Sequence, residues 1–226
     1  PIQKGRLEGK MEKKTKKAFV CGASLLIAFV LWTVLVCLVD VQAIGPEGSS
    51  VGFGSLNGYV HDLTGVNMSL YVITDWLGLV PIGIAFGFAV LGLVQLIKRK
   101  SLLKVDRSIL VLGGFYIVVM AVYILFETVV INYRPTLIDG YLEASYPSST
   151  TMLVMCVMPT AMMQLRDRIK NKAFSRCVMI AIAAFVAFMV IGRLVSGVHW
   201  VTDIIGGALV SSGLVITYAT VSNIIK

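Results

Sequence analysis

The chain is built of long apolar runs separated by short polar stretches, and the runs have the length a bilayer demands. Roughly 20 predominantly apolar residues in helix span the hydrocarbon core of a membrane. Runs at about 18–39, 70–97, 108–131, 151–165, 174–192 and 201–224 reach or approach that length. The fourth is short, and is expected to begin earlier, near Ser148, and to be buried in protein rather than in lipid. Backbone polar groups inside a bilayer must be satisfied within the chain itself. The pattern therefore predicts an all-α integral membrane protein, six transmembrane helices in a bundle with both termini on one side. Residues 40–69 break the rhythm. Gly45-Pro46 and Gly48-Ser49-Ser50 mark turns, and the stretch Val51–His61 mixes apolar and polar groups. A short helix lying on the membrane surface and a plain loop both fit it.

Charge orients this layout. Eighteen of the twenty Lys and Arg residues fall on one side of the predicted bundle. They lie in the tail through Lys17, the Lys98–Arg107 loop, the Arg166–Arg176 loop and at Lys226. Basic loops stay cytoplasmic, so this face and both termini are predicted to be inside. The domain reading is a basic cytoplasmic tail at 1–17 followed by a six-span domain at 18–226. Residues 1–10 precede Met11-Glu12-Lys13-Lys14, read as an upstream remnant, and are set apart from the fold. Arg134 and Arg193 are the two cations on the opposite, outer face, where both histidines and eight of the twelve acids also fall.

Composition excludes a soluble domain: 57% of residues are apolar and only 14% are charged. The net charge of +8 is carried by loops flanking apolar runs, with no motif that reads DNA or RNA. The lipid bilayer, not nucleic acid, is the implied partner. Cys21, Cys37, Cys156 and Cys177 lie within or beside apolar runs without paired spacing. They read as small buried hydrophobes rather than a disulfide or metal framework. Trp76, Trp200 and the tyrosines at 59, 71, 133, 141 and 146 are expected to form an interfacial belt.

Three stretches on the outer side carry candidate chemistry: Asn132-Tyr133-Arg134-Pro135, Ser145-Tyr146-Pro147-Ser148-Ser149-Thr150, and Gly192-Arg193 with His199 and Asp203 beyond. Each has an ordinary structural reading. Arg-Pro after a span is a helix stop. Pro-Ser-Ser-Thr before an apolar run is a turn and N-cap. His199 and Asp203, four apart on one helical face, make a structural pair as readily as an oriented imidazole. Together they describe a phosphate site. Two guanidiniums hold phosphoryl oxygens in fork geometry. Ser148, Ser149 and the N–H groups of a helix start add donors where the helix dipole favours an anion. His199, oriented by Asp203, becomes a nucleophile on phosphorus. The arginines supply the positive field, so the site calls for no metal and no other cofactor.

These motifs resemble the type 2 phosphatidic acid phosphatase family, whose core is related to vanadium-dependent haloperoxidases. The family pattern is K-x6-R-P, then P-S-G-H, then S-R-x5-H-x3-D, on a six-helix membrane core. The resemblance covers the chain from about Ala18 onward. It implies that Arg134 and Arg193 bind phosphate with Ser148 donating, that His199 forms a phosphohistidine, and that Asp203 orients it. It also implies metal-independent release of phosphate from a lipid phosphate or diphosphate, the substrate partner.

The chain departs from that pattern at four positions. Glu127 stands where the family has Lys, Ser149 where it has Gly, Thr150 where it has the second-motif His, and Gly192 where it has Ser. That histidine is taken to protonate the leaving oxygen, and losing general-acid catalysis costs on the order of 10²–10⁴ in rate. A diphosphate substrate, with its better leaving group, is one answer. A replacement acid is the other, with Glu127 the candidate if it is buried on the face of the third helix shared with Arg134. Glu127 pairing with an arginine is equally open, and so is a catalytically impaired member that binds or senses phosphorylated lipid. A transporter would show charged groups at mid-membrane and a repeated half, and neither is visible. Haloperoxidase chemistry would use the same pocket, but membrane spans favour lipid phosphate. The bare six-helix core points to a bacterial cell membrane, with the site on the extracytoplasmic face. Polyprenyl diphosphate or phosphatidylglycerophosphate are the favoured lipids.

Overall fold

In the computed structural model, residues 2–225 are described, with side chains from residue 11 onward. The basic side chains before Met11, the 1–10 remnant reading and Lys226 lie outside the described side chains. Eight α-helices make up the fold: α1 (Ile2–Leu38), α2 (Gly54–Thr64), α3 (Met68–Leu77), α4 (Leu79–Arg99), α5 (Arg107–Thr128), α6 (Ser149–Arg168), α7 (Lys172–Val195) and α8 (Val201–Ile225). α8 is the hub. It packs along α1, crosses α6, and also touches α5, α2 and α7.

Among the described residues, five segments are long and apolar enough to cross a membrane: Met11–Leu38, Met68–Arg99, Arg107–Thr128, Lys172–Val195 and Val201–Ile225. The chain is accordingly a multi-pass membrane protein. α6 falls short of the apolar standard because it carries Thr151, Thr160 and Gln164 and lies inside the bundle. Its polar groups are answered by protein. Thr160 Oγ1 donates to the Cys156 carbonyl (2.9 Å), Gln164 Nε2 donates to Tyr218 Oη (2.7 Å), and Ser211 Oγ donates to the Met152 carbonyl (3.2 Å). A helix shielded in this way needs no lipid-facing surface of its own. The expected burial of this segment, with Ser148 as its cap, is what the structure has.

The second apolar run is two helices, α3 and α4, meeting at Gly78. Pro81 lies in the first turn of α4 and offers no N–H to the carbonyl four residues back, which breaks the ladder there. The 54–64 stretch is a helix rather than a loop, and it docks on the start of α8. Asn57, fully buried, donates from Nδ2 to the Gly52 carbonyl (2.7 Å) and to Thr202 Oγ1 (3.0 Å). Trp32 Nε1 on α1 donates to the Thr202 carbonyl (3.2 Å). Replacing Asn57 by Ala strands Thr202 beside the first turn of α8. We expect a loss of about 1–3 kcal/mol in unfolding free energy, read by thermal or denaturant melts in detergent.

Small residues let the helices close on each other, as membrane bundles require. A Cβ on Gly206 would meet the Tyr146 ring at 2.7 Å, and one on Gly207 would meet the Ser148 carbonyl at 3.2 Å. These two glycines draw the start of α6 against α8.

Two expectations fail. Trp200 and Tyr146 were assigned to the interfacial belt, but both are buried. Trp200 Nε1 donates to the Tyr133 carbonyl (2.8 Å), and Tyr146 Oη lies 2.7 Å from Thr33 Oγ1, so each ring finds its polar partner inside the protein. Of the cysteines only Cys156 is buried; Cys21 and Cys37 on α1 and Cys177 on α7 are exposed free thiols.

Candidate active site

The α5–α6 connection folds back on itself as a lasso. Ile138 and Tyr141 exchange backbone hydrogen bonds across Asp139-Gly140, both with positive φ (49° and 83°). This is the turn that Asp-Gly favours between antiparallel arms. Tyr133 pairs with Ala144, the Arg134 N–H donates to the Glu143 carbonyl (3.0 Å), and the Ser145 N–H donates to the Asn132 carbonyl (2.9 Å). The lasso carries Arg134 inward to 8% exposure, with Nε 3.0 Å from Glu143 Oε2. That contact is an ion pair whose N–H direction misses hydrogen-bond geometry.

Arg193 arrives from the last turn of α7 and is 1% exposed. Its Nη1 lies 3.7 Å from Asp75 Oδ1 and 3.5 Å from Thr74 Oγ1, both on α3, and its Nε has no partner among the described residues. The Tyr71 ring faces both guanidiniums, 5.0 Å from that of Arg193 and 5.7 Å from that of Arg134. An aromatic face of this kind attracts two cations that repel each other.

His199 lies between them, 3% exposed. Arg134 Nη1 is 3.5 Å and Arg193 Nη2 is 3.4 Å from His199 Nε2. Guanidiniums only donate, so Nε2 must present its lone pair and the ring proton belongs on Nδ1. Asp203 Oδ2 lies 3.6 Å from Nδ1, an ion-pair distance and too long for a hydrogen bond. Asp203, fully buried, also accepts from the Trp200 N–H (2.9 Å) and from Asn132 Nδ2 (3.3 Å). The first of these is the reach-back of a capping box at the start of α8.

The shared helical face expected for His199 and Asp203 is not how they meet. α8 begins at Val201, because Gly197 (φ 69°) ends α7 and Asp203 caps Trp200. His199 thus sits in the turn ahead of the helix. A Cβ on Gly197 would also stand 1.8 Å from the Gly65 carbonyl, so only glycine fits there.

Burial, then the charges of Arg134 and Arg193, hold the His199 imidazole well below its usual 6.5. The folded protein therefore keeps His199 neutral above that depressed value. The unfolded chain takes up the proton near 6.5, so this residue removes stability as pH falls below about 6.5. A histidine NMR titration of the free protein should show no His199 transition between pH 6 and 7, on the reference scale for imidazole. Arg134→Gln should raise the transition toward 6.5. A wild-type midpoint near 6.5 that ignores the substitution would refute this electrostatic picture.

Ser148 is the N-cap of α6: its Oγ accepts from the Thr151 N–H (3.4 Å) and its own N–H donates to the Asp203 carbonyl (3.1 Å). Ser149 and Thr150 follow in the first turn, half-buried. They line a groove of about 390 Å³ shared with Asp75, Gly78 and Tyr123. Glu127 is exposed near the end of α5, beside Tyr123. The helix ends at Thr128, so Glu127 shares no helical face with Arg134, and the carboxylate on Arg134 is that of Glu143. The burial expected of Glu127 is absent. Among the described residues no three His, Cys, Asp or Glu side chains group to hold a metal.

Asn132 stands in a candidate stretch without a role of its own and Tyr71 is expected only in the interfacial belt, whereas the structure sets both at the site; Glu143, Thr74 and Asp75 carry no site expectation at all. Asp139-Gly140 was a readable signal for the lasso and hence for its arms. Nothing local marked α3, whose contribution depends on packing against α7.

A buried pair of guanidiniums around a histidine nitrogen, with a capping carboxylate beside it, is an arrangement chemically able to hold an oxyanion. A sequence model described as the PAP2 superfamily matches residues 82–225, and the chain belongs to that superfamily. Among solved structures, it is similar to the first transmembrane PAP2 type phosphatidylglycerolphosphate phosphatase from Bacillus subtilis. The two share 20% identity and a TM-score of 0.52, covering 88% of this chain and 93% of that one. That likeness bears on the fold. No curated protein sequence matches the chain. α1–α3 precede the family match, yet they supply Tyr71, Thr74 and Asp75 at Arg193 and Asn57 at the start of α8.

Proposed function

We propose that the protein is a lipid phosphate or diphosphate phosphatase of the bacterial cell membrane, working through a phosphohistidine. One observation carries the reading: a neutral, buried His199 whose Nε2 lone pair lies within 3.5 Å of two guanidinium groups. Arg134 and Arg193 would grip the phosphoryl oxygens, with Ser148, Ser149 and the N–H groups of the first turn of α6 as further donors. Nε2 attacks phosphorus as the bond to the leaving oxygen breaks. The Nδ1 proton stays on the ring, and Asp203 and the Ser145 carbonyl stabilise the resulting cation. Water then attacks the phosphohistidine, releasing inorganic phosphate and restoring the neutral ring. The arginine charges serve in place of a metal.

The topology belongs to the same proposal. In it α6 crosses the membrane with the other five segments, and the bias of basic loops toward the cytoplasm supports a site on the extracytoplasmic face. Thr150 cannot act as an acid near neutral pH, and Glu127 is exposed rather than buried on a helical face shared with Arg134. Both facts favour a diphosphate lipid such as polyprenyl diphosphate, whose departing phosphate needs less protonation than an alkoxide. Phosphatidylglycerophosphate, named for the Bacillus structure, is the next candidate. Thr150→His should raise release from lipid monophosphates by about 10²-fold, the scale of general-acid catalysis, while Glu127→Gln changes nothing. No gain in the first variant would sink the leaving-group account.

The same two departures favour the second reading, a member that binds phosphorylated lipid without turnover. Rapid acid-free quenching of the detergent-purified protein with terminally ³²P-labelled lipid diphosphate, EDTA present, separates the two. Acid-labile protein phosphate followed by free phosphate supports the enzyme. Bound lipid with neither product supports the binder.

A further inference from the structure

A second cavity lies at the other end of α6 from the candidate site. It is a groove of about 820 Å³ between the end of α6 and the start of α7. Its floor is apolar and soft, formed by Pro159, Met162, Met163 and Met179, with Ile180 at its outer side. Methionine side chains adapt to flexible apolar partners. Its rim is made of four cations, Arg166, Lys170, Lys172 and Arg176, all exposed.

These cations are not engaged as their neighbours are. In the other basic loop Arg99 pairs with Asp106 at 2.8 Å. Arg168 turns back to donate to the Gln164 carbonyl at 2.8 Å. Among the described residues, none of the four rim cations forms an ion pair. Asp167 is the lone acid between Ser149 and Trp200, and the groove is not lined by it.

Depth identifies the occupant. Seventeen residues of helix separate Ser149 from Arg166. That is roughly 26 Å along α6, close to the thickness of a hydrocarbon core. The cation rim therefore stands at one membrane boundary and the Met floor runs inward from it. We propose that this groove binds an anionic phospholipid of the leaflet opposite the candidate site. Its phosphate lies among Arg166, Lys170, Lys172 and Arg176, and one acyl chain lies over the methionines. Charge complementarity selects the headgroup and the apolar floor selects a lipid over a soluble phosphate. The proposal does not depend on what the candidate site does.

Native mass spectrometry of the detergent-purified protein tests it, with phosphatidylglycerol and phosphatidylcholine of identical chains titrated separately. Phosphatidylglycerol adducts should form at concentrations at least about tenfold lower. Lys170→Gln with Lys172→Gln should weaken them roughly 25-fold, at about fivefold per cation near a membrane surface. Both side chains are exposed in the loop region, so folding is spared. Ile180→Trp, which fills the groove and keeps every charge, should weaken them as well. Lys98→Gln with Lys100→Gln, on the other basic loop, should leave them unchanged. Equal affinity for the two lipids would overturn the proposal. So would equal losses from both double variants, or full competition by soluble glycerol phosphate.

Discussion

His199→Ala is expected to cut phosphate release from the preferred lipid by at least about 10³-fold, the scale on which covalent catalysis fails when its nucleophile is removed. His199 Nε2 lies 3.4 and 3.5 Å from the two guanidiniums, and among the described residues no other nucleophile is recorded within reach of both. The loss should fall on kcat, and labelled phosphate should no longer appear on the protein. Fold should survive, because the start of α8 is capped by Asp203 on the Trp200 N–H, a contact that does not involve the imidazole. Phosphate should still compete for the site, since both arginines remain. Release from His199→Ala at the wild-type rate would mean that another group, or another protein, does the chemistry.

Arg193→Gln is expected to lower turnover by about 10²–10³-fold, the usual effect of deleting one oxyanion donor from a preorganised site. Its structural consequence should run the other way. Arg193 is held at 1% exposure with an unpartnered Nε, next to a second cation, and its carboxylate at 3.7 Å is on the exposed Asp75. A charge buried on such terms costs stability unless an anion joins it. The thermal midpoint of Arg193→Gln should therefore be equal to or above that of the wild type, while activity and phosphate competition collapse. Arg193→Lys keeps the charge but not the fork, and should recover only part of the activity. A lower midpoint with activity intact would recast Arg193 as a structural cation.

Much of this architecture was open to reading because lipid imposes simple rules. Helices of bilayer length are spelled out in apolar runs, and the predicted bounds of α5, α7 and α8 lie within three residues of those observed. Arg134, Ser148, Arg193, His199 and Asp203 stood out because polar groups at the end of an apolar run need a reason. Their spacing carried the family resemblance. For Glu127 a spacing of seven residues implies a face shared with Arg134 only if the helix continues that far. The helix stops at Thr128, and the chain from Val129 onward follows the lasso instead.

By itself the sequence determined the membrane class, the helical bundle, the basic and acidic ends and the candidate residues proposed to hold an anion. Each of these follows from local composition: length of apolar run, sign of loop charge, and a motif's spacing. Only the tertiary structure decided that α6 is shielded by protein, that Tyr71, Thr74 and Asp75 from α3 meet Arg193, and that Glu143 rather than Glu127 faces Arg134. It also decided that two guanidiniums approach one imidazole nitrogen, and that four cations at the adjoining ends of α6 and α7 line a single groove. Those are relations between helices far apart in the chain, set by close packing at residues such as Gly197, Gly206 and Gly207. No local pattern of apolar and polar positions encodes which faces will meet.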